Sequence, residues 1–209
     1  MSSVCVLASG GVESGVLLSD ALERHERVQP LYIRERLRWE APEIFHLKRF
    51  IRALKSSRLL GLEILELPMT DVYGEHWSTT ARRVPDAASP DRAVYRVGRN
   101  ILFLSKAACF ASLRGIALIE IGVLKRNPFP DGHAGFFKRM SAVLSAGLNV
   151  PIGIQAPFRR MEKEDVILKG KKLPLELTFS CLNPKGFVHC GECNKCAERK
   201  RAFFAAGVR

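Results

Sequence analysis

The sequence predicts an α/β fold: a mostly parallel sheet with helices on both faces, followed by a cysteine-rich C-terminal extension. Short apolar runs rich in β-branched residues alternate with stretches of helical periodicity through most of the chain, which is the pattern of βαβ units. The first run ends in Ser9-Gly10-Gly11, a turn directly ahead of a helical pattern. Four of the six cysteines, Cys181, Cys190, Cys193 and Cys196, fall within sixteen residues near the end.

Val4-Cys5-Val6-Leu7 reads as a buried strand, and Val12 to Arg24 follow as a helix with Val16, Leu17 and Leu22 at helical spacing. A second strand is expected over Val28–Ile33. Ile44, Leu47, Ile51 and Leu54 then share one face of a helix from Glu40 to Leu54. Leu62–Leu67 reads as a third strand. From Met69 to Tyr95 the periodicity stops, and the stretch, with Pro85, Pro90 and Gly74, reads as a long loop that is a functional lid or a mobile segment. A helix over Arg99–Leu113, a strand over Ile116–Ile121 and a helix over Ala134–Ala146 follow, separated by the irregular KRNPFPDG segment at 125–132. A short helix is expected in the basic tail between Arg159 and the cysteines. Cys5 and Cys109 lie in apolar stretches and read as small core residues.

The 209 residues, 47% hydrophobic and 26% charged, fit a single globular domain over 1–209, with 178–209 as its extension. No apolar run approaches the ~20 residues that span a bilayer, so no membrane association is expected. The opening MSSVCVLASGG lacks the basic and small-residue features of an export signal, and the expectation is a cytoplasmic protein. Residues 121–209 carry sixteen basic side chains against seven acidic ones. Such a surface suits an anionic partner such as ATP, phosphate or RNA, or serves solubility alone.

Three constellations carry chemistry. In Ser9-Gly10-Gly11-Val12-Glu13-Ser14, glycines let backbone approach an anion, the helix start offers unpaired N–H groups, and two hydroxyls add donors. The pattern is neither the dinucleotide fingerprint nor the Walker loop, and many β–α turns hold paired glycines for conformational reasons alone. Cys181-x8-Cys190-x2-Cys193-x2-Cys196 fits tetrahedral zinc in a structural role, with Gly191 permitting the turn between two ligands. His189 could replace one thiolate, and a redox C-x-x-C is the competing use. Gly98-Arg99-Asn100 opens a helix, where it could contact phosphate or a base or be an ordinary helix entry.

Together, the SGG-x-[DE]-S loop, V-G-R-N-I-L-F-L-S and S-C…H-C-G-E-C-N-K-C-A-E-R-K-R-A-F resemble, in order and spacing, the 7-cyano-7-deazaguanine synthases of queuosine biosynthesis, a branch of the PP-loop ATP pyrophosphatases. The resemblance covers most of the chain, and the 69–95 loop matches least. It implies a Rossmann-like sheet of the adenine nucleotide alpha hydrolase type, one structural zinc on the four cysteines, and a homodimer. It also implies cleavage of ATP, with Mg²⁺, to AMP and pyrophosphate. Members adenylate 7-carboxy-7-deazaguanine and use ammonia to form the nitrile.

Carried onto this sequence, the resemblance implies a nucleotide site of Ala8, Ser9, Gly10, Gly11, Val12, Glu13 and Ser14 with Gly98, Arg99 and Asn100. Ser9, Ser14, Arg99 and Lys163 would stabilise the leaving pyrophosphate. The chain has Glu13 where the family usually has Asp, and its 124–133 segment replaces acids with Lys125 and Asn127. Phe129-Pro130-Asp131 keeps an aromatic-Pro-Asp core, so a planar base could stack on Phe129 and donate to Asp131. Lys125 is expected to favour a carboxylate nearby. Two other functions fit the residues: a related enzyme joining the base or another carboxylate to a protein or tRNA acceptor, and a zinc-stabilised RNA-binding module without catalysis.

Overall fold

The computed structural model describes residues 2–208. Its strands are β1 (Ser3–Leu7), β2 (Arg27–Arg34), β3 (Glu63–Glu66), β4 (Leu118–Ile121) and β5 (Gly153–Gln155). They pair in parallel in the order β3-β2-β1-β4-β5, with Val4 opposite both Val28 and Leu118. Because β2 and β4 lie on opposite sides of β1, the chain reverses direction across the sheet there. The carboxyl ends of β1 and β4 therefore flank a crevice, the usual ligand position in open α/β sheets.

The alternation of β1 assigns its side chains to two cores. Val4 and Val6 pack with α1 (Val12–Arg24), α2 (Glu40–Leu54) and α7 (Lys163–Lys169). Cys5 and Leu7 pack on the other face with α5 (Arg99–Leu113) and α6 (Ala134–Leu148). Both faces are covered, as the continuous apolar strands require. Ala107, Ala108 and Ala111 form a small-residue stripe that lets α5 lie close to the sheet.

The long loop is more structured than its composition implies. It holds two one-turn helices, α3 (Thr70–Tyr73) and α4 (Trp77–Thr80), and a 3-10 turn at Asp91–Val94. Trp77 stacks on Trp39 at 5.6 Å. Buried Asn194, the first residue of α8 (Asn194–Ala205), accounts for much of the rest. Its backbone N–H donates to Pro85 O at 2.9 Å, and its side-chain amide donates to Ser89 O at 2.7 Å. Leu37, Trp39, Phe179 and three of the four clustered cysteines form a third core with Trp77, Val84 and Val94 packed on it. The loop and the cysteine-rich segment thus fold onto one another.

Other expectations shift for identifiable reasons. β4 starts at Leu118 rather than Ile116. Gly115, at φ 67°, and Ile116 close the end of α5, the Ile116 N–H reaching Ala111 O at 2.9 Å. β3 loses a residue at each end of Leu62–Leu67, and β2 gains one at each end. The expected irregular 125–132 segment contains a 3-10 turn at Pro130–Gly132. Cys109 is exposed on α5, not a core residue, whereas Cys5 is buried. β5 and α8 have no counterpart in the sequence reading: β5 is three residues long, and α8 is polar around most of its circumference.

Candidate active site

β1 delivers the chain into the crevice at Ala8, and the turn that follows is shaped by its glycines. Gly10 has φ +80°, and a Cβ there would lie 3.0 Å from the Glu43 carbonyl oxygen. Gly11 caps α1 with no side-chain hydrogen bond, so the first N–H groups of that helix have no capping side chain. Ser14 Oγ donates to Gly11 O at 3.1 Å and accepts the Ser9 N–H at 3.2 Å. The Ser9 and Ser14 hydroxyls lie 3.4 Å apart. Gly122, just past β4, would bring a Cβ to 3.3 Å from Glu13 Cβ, so a glycine keeps this wall of the crevice close.

Around the turn lies a cavity of ≈ 280 Å³. Ala8, Ser9, Gly11, Glu13, Ser14, Arg99, Asn100, Phe129, Asp131 and Lys163 all line it, so residues from distant parts of the chain meet in one cleft. Gly10, Val12 and Gly98 do not. Gly10 faces α2, Val12 is fully buried in the core, and Gly98 has φ 76° at the entry of α5. Lys125 is also outside; it pairs with Glu162 at 3.3 Å.

Charge at the phosphate-loop end is fully paired. Lys163 Nζ lies 2.8 Å from both Glu13 and Glu198, and Lys195 binds the other oxygen of Glu198 at 2.7 Å. Burial pulls the Lys163 ammonium down, but the two carboxylates outweigh it and hold it above its usual value. Burial likewise pushes Glu198 up, yet Lys163 and Lys195 hold its carboxyl at about 2. Lys195 lines the cleft and was missed from the sequence. Its only signal there was its position between two cysteines.

The opposite end is built differently. Asp131 Oδ2 accepts the Asn100 N–H at 3.0 Å, and Asn100 Nδ2 returns a bond to Asp131 O at 3.0 Å. Phe129 is stacked on Tyr95 at 4.8 Å. Glu35 pairs with Arg96, which lies over the Trp39 ring at 5.6 Å. Burial pushes the Glu43 carboxyl up to about 8, against the Tyr32 hydroxyl and the Arg96 and Arg99 guanidiniums that pull it down. Arg99 lies 4.7 Å over Phe103, and its buried Nε has no partner among the described residues. Burial, then the neighbouring Arg96, lowers its guanidinium below the usual value.

The four sulfurs Cys181, Cys190, Cys193 and Cys196 lie within 4.8 Å of one another, with Cys190–Cys196 at 3.9 Å and Cys193–Cys181 at 4.0 Å. Tetrahedral thiolates on zinc bonds of ≈ 2.3 Å would sit about 3.8 Å apart, so the donor set fits such an ion. The N–H groups of Leu182, Cys190, Glu192 and Cys193 point at the sulfurs, as thiolate ligands require. His189 does not join them; its Nε2 accepts the Ser180 N–H at 3.2 Å. Cys181 also lines the cleft, and the Phe179 N–H binds Gly10 O at 2.7 Å. The cysteine cluster and the phosphate-loop turn are therefore mechanically continuous.

The family profile of the queuosine biosynthesis protein QueC matches residues 3–207. The chain belongs to this family. Among QueC-family relatives, it is 29% identical to the 7-cyano-7-deazaguanine synthase of Methanocaldococcus jannaschii, over 100% of this chain and 97% of that one. It is 31% identical to the synthase of Leptospira interrogans, covering 97% and 87%, and 31% identical to that of Methanothrix thermoacetophila, covering 99% and 95%. Among solved structures, a 4-thiouridine synthetase in complex with RNA and bound ATP aligns with TM-score 0.53 at 15% identity, over 99% of this chain and 50% of that one. A predicted subunit of tRNA methyltransferase from M. jannaschii aligns with TM-score 0.50 at 12% identity, over 79% and 73%. These likenesses establish a PP-loop-type fold. No helix among the described residues is long and apolar enough to cross a membrane.

Proposed function

We propose that this QueC-family chain is a cytoplasmic, ATP-dependent carbon–nitrogen ligase that converts 7-carboxy-7-deazaguanine and ammonia to the nitrile, releasing AMP and pyrophosphate. The single observation that carries the reading is the cleft itself, where the Ser9–Ser14 turn and Arg99, whose buried Nε has no partner among the described residues, line one cavity. A carboxylate is a poor acyl donor, and transfer of AMP to it supplies a good leaving group. Ammonia then displaces AMP to give an amide, and loss of water from the amide, driven by a second activation, gives the nitrile.

Each step assigns a task to this chain's residues. The N-terminus of α1 with Ser9 and Ser14 would hold the polyphosphate and stabilise the charge that builds as pyrophosphate leaves. Lys195, nearer solvent than Lys163 and bound to one partner, would contact the phosphates; Lys163 would fix Glu13 and α8 beside them. Mg²⁺ would enter with the nucleotide phosphates, as that ion usually does. Arg99 would hold the substrate carboxylate, and Phe129 and Asp131 would flank the base. A zinc ion on the four cysteines would hold the C-terminal segment against the loop and take no part in the chemistry. The family resemblance further implies a homodimer.

The test is ATP turnover by the purified chain with each substrate omitted in turn. AMP and pyrophosphate should form only when 7-carboxy-7-deazaguanine is present. ADP as the sole nucleotide product would reject the reading, and a deazaguanine attached to protein or tRNA would point to a macromolecular acceptor instead.

A further inference from the structure

The end of the cleft opposite the Ser9–Ser14 turn contains a buried acceptor outside the three motifs described above. Glu35 follows β2 directly, is 1% exposed, and lines the cavity. One of its oxygens is held by Arg96. The other, Oε1, has no hydrogen-bond partner among the described residues although it is shut off from solvent. A buried acceptor left unpaired is costly, and native structures rarely keep one without a use for it. Trp39 and Trp77 stack in the same wall, giving flat apolar surface beside it.

The alternative acceptor, Asp131, is less free than its sequence context implies, because one of its oxygens caps the start of α5 through the Asn100 N–H. We infer that Glu35 is the specificity-determining residue that receives the N–H edge of a guanine-type base. This deepens the proposed function and rests on it. A carboxylate engaged by a guanidinium offers acceptors only. The ring N–H and exocyclic amine of an aminopyrimidinone present adjacent donors to such a group. An adenine edge sets its ring nitrogen, an acceptor, beside the single amine and would be repelled. The Arg96 pairing engages Oε2 and leaves Oε1 without a partner among the described residues. Arg99 lines the same cavity.

The experiment is calorimetry on the full chain with zinc bound, using wild type and Glu35→Gln. The ligands are ATP, 7-carboxy-7-deazaguanine and the same acid lacking the exocyclic 2-amine. Wild type should lose at least tenfold in affinity when the amine is removed. Glu35→Gln should weaken the complete base at least tenfold, distinguish the two acids by less than twofold, and keep ATP affinity within twofold. Weakening of ATP alone, or equal weakening of all three ligands, would overturn the assignment. If the variant does not fold, the wild-type comparison still decides, since equal affinity for the two acids removes the need for an acceptor. Failure of wild type to bind either acid would overturn the proposed substrate as well. Binding of both acids with Glu35→Gln unchanged would overturn only the role of Glu35.

Discussion

The two ends of the cleft treat charge in opposite ways. At the phosphate-loop end, Glu13, Lys163, Glu198 and Lys195 form a closed chain of ion pairs. At the other end, Arg99 Nε, Glu35 Oε1 and Asn100 Oδ1 are buried without partners among the described residues. A paired charge contributes to the fold, whereas an unpaired one lowers stability until a ligand meets it. On the proposed function, the difference would separate residues that build the site from residues that read the substrate.

The largest effect is expected at the element that ties both ends together. Replacing Cys193 with Ser, or treating the protein with a chelator, should release the C-terminal segment and with it the loop held by Asn194, since a metal bound by the four thiolates would contribute folding free energy. Metal analysis and thermal unfolding would check this. Native, unchelated protein without metal would remove the basis of the prediction.

Next in size is the paired end. Lys163→Met strands Glu13 and leaves Glu198 to Lys195 alone, and should cost about 3–5 kcal/mol in chemical denaturation. Arg99→Met, which removes a guanidinium that makes no hydrogen bond or ion pair among the described residues, should cost less stability than Lys163→Met while abolishing base binding. Equal destabilisation by the two variants would erase the contrast between the ends.

Acid titration should expose the same contrast with opposite signs. Glu198 is held at about 2, below its usual 4.5. Its contribution, about 3 kcal/mol at one pH unit per 1.36 kcal/mol, is present above pH 4.5 and lost as pH falls through 2. Glu43 is raised to about 8 from 4.5. Its contribution is full below pH 4.5 and is lost as pH rises through 8. Glu198→Gln should flatten the acid side of the stability profile, and Glu43→Gln the neutral-to-alkaline side. Persistence of both slopes in the variants would assign them to other groups.

The smallest change tests the turn. Gly10→Ala should cost about 1–3 kcal/mol from the strained φ, together with crowding against the Glu43 carbonyl. It should weaken ATP more than base. Gly11, whose φ is −70°, should tolerate Ala in folding. If Gly10→Ala were neutral in both folding and ATP affinity, the turn would not depend on its glycine.

The sequence made the phosphate-loop end more legible than the substrate end, and the reason is physical. Turn chemistry and thiolate spacing are local: Gly10, Ser14 and the cysteine ladder carry their function within a few residues. α2 and α5 were read to the residue because their apolar faces repeat within each helix. Lys195, Glu35 and the second wall of the cleft depend on tertiary contact between segments far apart in the chain. Nothing local in LYIRERLR marks Glu35 as buried, and nothing in PDAASP marks a loop held by a distant asparagine. Asp131 was legible as a polar group near an aromatic but not as the cap of α5. β5 was too short to show periodicity.

The most direct test of the account follows the nitrogen atom. Incubated with ATP, 7-carboxy-7-deazaguanine and ¹⁵N-ammonia, the protein should yield AMP and a base product whose mass is that of the nitrile bearing a single ¹⁵N. A product without label, or AMP formation with the acid recovered unchanged, would contradict it.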